Sequence, residues 1–210
     1  MKSKPSLTGT IELDLPEFDT PPSDPMPLVA DWVERAEQLG VLEPYNAALA
    51  TVGADGRVSN RFVLAKLFDA SGILFATNAS SRKGHEISET GHGAMVLFWQ
   101  ETRQQLRFVG SIERVSSAVS DEIWFDRPIA SQASAVASEQ SAPLGDEAAF
   151  RAHAAELSLA TTPFVRPDDW GGYRLTPDEV EFWHGQPNRL HRRLRYLRTA
   201  DGWTHERLQP

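Results

Sequence analysis

Asn46–Lys66, NAALATVGADGRVSNRFVLAK, decides the fold. Residues 46–52 and 57–66 both read with a period of two and flank the four-residue segment GADG. The stretch therefore predicts two antiparallel strands joined by a tight turn. Upstream, Met26, Val29, Trp32, Val33, Ala36 and Leu39 recur at helical spacing, with Ser23 or Asp24 as the cap and Gly40 as the stop. Downstream, GILFATN (72–78), AMVLFWQ (94–100) and QQLRFVGSIERV (104–115) predict further strands. Between the first two of these, SSRKGHEISET (80–90) predicts a short helix whose first turn carries Arg82 and Lys83 beside backbone N–H donors.

The alternation lapses over residues 117–160, where helices are expected around Ser120–Asp126, Gln132–Ser138 and Glu147–Leu159. GGYRL (171–175), EVEFWH (179–184), RRLRYLR (192–198) and WTHERL (203–208) restore strands. Many short strands with a few helical interruptions imply a closed or partly closed antiparallel barrel. A doubly wound parallel sheet is disfavoured, because strands and helices do not alternate. Pro5, Pro16, Pro21, Pro22 and Pro25 mark residues 1–25 as an extended arm, leaving 26–210 as one domain.

A net charge of −8 and a sequence pI near 5.3 argue against nucleic acid as a partner. No apolar run approaches the roughly 20 residues of a membrane span, and no signal-peptide core opens the chain, so a cytoplasmic protein is expected. The chain has no cysteine, which excludes disulfides and thiolate chemistry. The histidines have no metal-ligand spacing, and the dinucleotide fingerprint, the P-loop and the nucleophile elbow are all missing. No metal is expected.

Against this acidic background, RLHRRLRY (189–196) and Arg198 place five arginines in ten residues. Read as a strand, the run puts Arg189, His191, Arg193 and Arg195 on one face and Leu190, Leu194 and Tyr196 on the other. The basic face calls for an anion, or else is a solvated edge that discourages aggregation. Arg61, Lys66, Arg82, Lys83, Gln105, Arg127, Ser131, Gln140 and Ser141 fall at other strand and helix ends. Each has a commonplace reading as a cap, an edge charge or a solvated helix start. Together they can ring a phosphate-bearing cofactor.

RFVLAK, FATN, SSRKG, RQQLRFVG, the R-P at 127–128, the S-Q at 131–132, EQS, WGGYRL and VEFWHGQPNRLHRRLRY, in this order, resemble the pyridoxine/pyridoxamine 5′-phosphate oxidase family over residues 26–210. The resemblance implies a Greek-key, antiparallel FMN-binding split β-barrel working as a homodimer with shared flavin sites. It implies that Arg61, Val63, Leu64, Lys66, Ala76, Thr77, Arg82, Lys83, Gln105, Gln140, Ser141, Trp183 and Arg193 bind FMN. Lys66, Arg127, Ser131, Arg189 and His191 would bind substrate. SLTGTIELDLPEF, GVLEP and the chain's ending look more like the phenazine-biosynthesis FMN oxidases, which implies an anionic aromatic substrate and dioxygen as acceptor. Three departures from the vitamin enzymes point the same way: Ile123 replaces a tyrosine, Arg192 replaces an acid, and SQASAVAS lacks the usual glycine and tryptophan. The alternatives are pyridoxine/pyridoxamine 5′-phosphate oxidase itself and a non-catalytic flavin or pyridoxal-phosphate carrier.

Overall fold

In the computed structural model, which describes residues 7–210, the alternation at Asn46–Lys66 becomes β1 (Asn46–Val52) and β2 (Val58–Asp69), paired antiparallel from Asn46↔Leu64 to Val52↔Val58. Gly56, at φ 77°, closes the turn with its N–H on the Gly53 carbonyl. β3 (Gly72–Asn78) returns along β2, and α2 (Arg82–Thr90) then carries the chain over to β4 (His92–Trp99), which pairs with the far side of β1. The order β3-β2-β1-β4 is a Greek key. β5 (Gln104–Arg114) and β6 (Trp170–His184) follow, and β6 also pairs with β3, closing a six-stranded antiparallel barrel. β7 (Arg192–Thr199) and β8 (Gly202–Arg207) extend the sheet beyond β6.

α1 (Pro25–Gln38) starts where Asp24 accepts from the Met26 N–H, and it buries Val29, Trp32, Val33 and Ala36. Trp32 meets Phe182 edge-on at 5.0 Å and donates its indole N–H to buried Glu17 at 2.5 Å. Tyr196, also in this core, donates to the Pro22 carbonyl. Residues 7–25 thus lie against the barrel, with Leu15 and Phe18 in the core. The first six residues of the expected arm lie outside the described residues. α3 (Ser117–Phe125), α4 (Ile129–Ala137) and α5 (Glu147–Leu157) form the excursion between β5 and β6. Trp124 and Trp170, 4.9 Å apart, anchor its beginning in a second, smaller cluster. α5 has no buried residue.

Two expectations are corrected. GGYRL and EVEFWH are one 15-residue strand, β6, interrupted only by a register shift where Gly110 faces Pro177 and Val109 faces Glu179. Asp178 is the extra residue there, and a bulge is where a strand accommodates a proline. The basic strand starts at Arg192, so Arg189 and His191 lie in the preceding connection and do not share its alternation. Arg189 has φ 69°, and Leu190 is exposed instead of packing on the core beside Leu194 and Tyr196.

Candidate functional site

β2 alternates so that Arg61 and Val63 are half-buried while Phe62 and Leu64 stand exposed. Where β2 and β3 meet the start of α2, a cleft of about 280 Å3 is lined by Arg61, Phe62, Val63, Leu64, Lys66, Ala76, Thr77, Lys83, Arg127 and Gln140. Ser81 caps α2 by accepting from the Gly84 N–H, and this aims Lys83 inward. Lys83 Nζ donates to Gln140 Oε1 at 2.8 Å, and the Thr77 hydroxyl donates to the same oxygen at 2.9 Å. Burial, reinforced by the Arg61 charge and opposed by Glu86, holds the Lys83 ammonium down at about 8. An anion would relieve that strain.

An adjoining hollow of about 850 Å3 is lined by Arg82, His85, Glu86, Gln140 and Ser141, among others. The Ser141 hydroxyl accepts from the Arg82 N–H at 3.2 Å. Gln140 lines both spaces. Arg82 and Ser141 therefore stand behind the cleft that holds Arg61 and Lys83.

Arg127 enters from the other side, its guanidinium 5.3 Å from the Trp170 ring and 5.9 Å from the Trp124 ring. It donates to the carbonyl of Ser131, while its Nε is buried with no partner among the described residues. Ser131 thus acts here through its backbone. Lys66 is 3.6 Å from Asp126. Ile123 does not line the cleft: it is buried, and its Cδ1 fills the space a side chain on Gly172 would need.

The remaining candidates form a second group. Gln105, Trp183 and Arg193 are consecutive register partners across β5, β6 and β7. On the same outer face, Leu64 and Gln105 are three strand spacings apart, about 14 Å along the sheet. His191 lies against Trp183 with ring centroids 4.8 Å apart and planes tilted by 46°, and its Nδ1 accepts from the Gln186 N–H. That bond leaves Nε2 as the donor of the neutral ring. Burial and the Arg189 charge push the His191 pKa down. Between the two groups the face carries Phe62, Ala48, Val96 and Phe98, with polar Asn46 beside Leu64; Phe62 is 74% and Phe98 50% exposed.

Three arginines of the basic run are paired with the chain's own carboxylates. Arg192 pairs with Asp19 at 2.7 Å and lies over the Phe18 ring; Arg193 pairs with Glu181 at 2.6 Å; Arg195 pairs with Glu206. Arg198 donates to the Pro177 carbonyl and covers the Trp203 ring. The anions called for by the basic face are therefore largely protein carboxylates. Nor is β7 an edge, since β8 covers it. Sequence reasoning missed Glu86 and Glu181, both buried, and the two tryptophans that hold Arg127. The one local signal was Glu86 standing four residues after Arg82 on a helix.

The pyridoxamine 5′-phosphate oxidase family profile matches residues 34–160, and the pyridoxine 5′-phosphate oxidase C-terminal dimerisation region matches 170–210. The chain belongs to the pyridoxamine 5′-phosphate oxidase family. Among the family's members, dihydrophenazinedicarboxylate synthase of Burkholderia lata is 43% identical over 205 residues, spanning 98% of this chain and 97% of that protein. Pyridoxine/pyridoxamine 5′-phosphate oxidase of Herminiimonas arsenicoxydans is 42% identical over 207 residues, 97% of each. The crystal structure of PhzG from Burkholderia lata in complex with tetrahydrophenazine-1-carboxylic acid superposes with a TM-score of 0.92 at 42% identity, covering 96% of this chain and all of that one. Overall identity to the two kinds of enzyme is nearly equal.

Proposed function

We propose that this protein is an FMN-dependent oxidase of phenazine biosynthesis, oxidising a reduced phenazine carboxylate toward the aromatic ring with dioxygen as acceptor and hydrogen peroxide as product. The observation that carries this reading is the cleft in which Arg61, Lys66, Lys83 and Arg127 converge beside Thr77 and Gln140. Cations and neutral donors in one half-buried space suit a phosphate-bearing flavin and an anionic aromatic substrate. The near-full-length likeness to dihydrophenazinedicarboxylate synthase and to the PhzG complex supports the phenazine substrate.

In this reading Arg61 and Lys83 hold the flavin phosphate, with Arg82 and Ser141 backing them, and Thr77 and Gln140 meet the cofactor's polar edge. The flavin, when bound, supplies the hydride-accepting chemistry. Lys66 and Arg127 bind the substrate's carboxylate and orient its ring. Trp124 and Trp170 flank the Arg127 guanidinium and exclude water from it. Aromatisation drives the oxidation, so no strong general base is required.

The second group, Gln105, Trp183, Arg193, Arg189 and His191, completes the site from a second copy of the chain. The intervening face of Phe62, Ala48, Val96 and Phe98 is the surface on which two copies meet, and the name of the matched C-terminal region accords with this. In that arrangement Trp183 and Arg193 close over the flavin, while Arg189 and neutral His191, donating from Nε2, reach the substrate.

The test is purified protein given reduced phenazine carboxylates under air, following peroxide and the aromatic product's absorbance. No peroxide and no acceleration over buffer would sink the proposal. A second reading, pyridoxine/pyridoxamine 5′-phosphate oxidase, draws on the 42% identity to the Herminiimonas enzyme. Efficient oxidation of pyridoxamine phosphate would select it.

A further inference from the structure

The Glu86 side chain accepts four hydrogen bonds beside the cleft, and the proposed function gives it no role. The residue is 7% exposed, and its carboxylate is set against the turn end of the β1–β2 hairpin, where Thr51 faces Ser59. Oε2 accepts from the hydroxyls of Thr51 and Ser59 at 2.5 Å each, and from Arg61 Nη2 at 3.3 Å. Oε1 accepts from Arg82 Nε at 2.9 Å. One carboxylate thus bridges the guanidinium that lines the cleft and the guanidinium that lines the hollow behind it. Arg61 is fixed further by the Leu49 carbonyl and the Thr51 hydroxyl, both bonded to Nη1.

We infer that Glu86 is a positioning residue, locking Arg61 and Arg82 into one preformed clamp for the phosphate end of the flavin. The inference rests on the flavin-binding reading above. A flexible arginine loses rotamer entropy when it orders around an anion, and a clamp ordered in advance does not incur that loss on binding. Glu86 also bears on the third cation. Burial weighs against its charge, but hydrogen bonds from Ser59, Thr51 and Arg82 and the Arg61 charge hold its carboxyl down at about 2. As an anion it keeps Lys83 charged, opposing Arg61.

Two effects compete when the charge is removed. Loss of a carboxylate beside the clamp makes the site more attractive to phosphate by Coulomb's law. Loss of its bonds frees both guanidinium groups and weakens the protonation of Lys83. The inference holds that the second effect wins, because the carboxylate directly contacts both arginines, while phosphate would approach the donors these bonds leave over, Arg61 Nε and the Arg82 Nη groups.

The experiment is a fluorescence titration of the flavin-free protein with FMN and with riboflavin, which lacks the phosphate. Glu86→Gln is expected to weaken FMN binding about tenfold and to leave riboflavin binding unchanged. Glu86→Asp, which keeps the charge on a shorter arm, is expected to fall between wild type and Glu86→Gln, and it serves alone if Glu86→Gln fails to fold. FMN binding unchanged or tightened in a folded variant overturns the inference. Equal weakening of FMN and riboflavin also overturns it, since Glu86 would then act on the fold and not on the phosphate. Wild-type protein that binds neither flavin removes the flavin reading itself, a result distinct from either.

Discussion

Lys83 Nζ donates to Gln140 Oε1 over 2.8 Å, tying the first turn of α2 to the loop after α4. The two residues are 57 positions apart, and their contact makes the back wall of the cleft. Both polar ends face a space that an anion would complete.

Lys83 gives the site a pH dependence. Burial and then Arg61 lower its pKa from 10.5 to about 8, so in the unligated protein it is charged below about pH 8 and neutral above. FMN affinity is expected to be level up to about pH 7.5 and to fall by up to about tenfold per pH unit above 8. Riboflavin affinity should stay flat, and Lys83→Met should abolish the slope for FMN. Fluorescence titration across this range checks it. An FMN affinity that rises with pH would contradict the assignment.

Gly84 holds α2 against β3. A Cβ there would lie 2.3 Å from the Ala79 carbonyl oxygen and 2.6 Å from that of Asn78, both backbone atoms that cannot swing aside. Gly84→Ala is therefore expected to destabilise the protein by about 1–3 kcal/mol despite the better helix propensity of alanine. Because Lys83 moves with the helix, FMN binding should weaken as well. Thermal melting and the same titration measure the two effects.

Phe62 tests the second copy. Its ring is 74% exposed, so Phe62→Asp should leave the fold of each chain intact. Burial of such a ring at an interface contributes about 1.5–3 kcal/mol per copy, and a charge in its place opposes association further. Sedimentation is expected to show a mass near 23.3 kDa for the variant and twice that for wild type. Wild type at the single-chain mass would remove the shared-site proposal.

The proposed function assigns Arg127 to the substrate and not to the cofactor. With its Nε buried and unpartnered among the described residues and its face on two tryptophans, it is built to meet a ligand at the cleft's outer side. Arg127→Leu is expected to raise KM for the carboxylated substrate by about 10- to 100-fold, the worth of a charge-assisted bond of about 1.5–3 kcal/mol. FMN affinity should be unchanged. A parallel loss of FMN would move Arg127 to the cofactor side.

Much of the barrel was legible because it is local. The β1–β2 hairpin follows from alternation around Gly53–Gly56, α1 from apolar spacing, Asp24 and Gly40, and α2 from the polar run SSRKGHEISET between two strands. β6 was hidden because Thr176-Pro177-Asp178 reads as a break, whereas the structure absorbs the proline at a bulge opposite Val109 and Gly110. Arg189–His191 read as strand because the run alternates in composition. The turn that excludes them depends on the Arg189 N–H bonding the Gln186 carbonyl, and alternation carries no trace of that.

The sequence by itself determined the alternating strands, the capped helices, the cations and amides available to a site, and the likeness to one oxidase family. It could not determine which charge meets which. Arg192 finds Asp19 from 173 positions away, Arg61 finds Glu86 from 25, and Arg193 finds Glu181 across two strands. Alternation and helical period are fixed by neighbouring residues along the chain, but an ion pair forms wherever barrel closure brings two side chains within a few ångströms. The arginine-rich run accordingly turned out to be largely internally paired, and the convergence of Arg61, Lys66, Lys83 and Arg127 on one cleft was decided by tertiary structure alone.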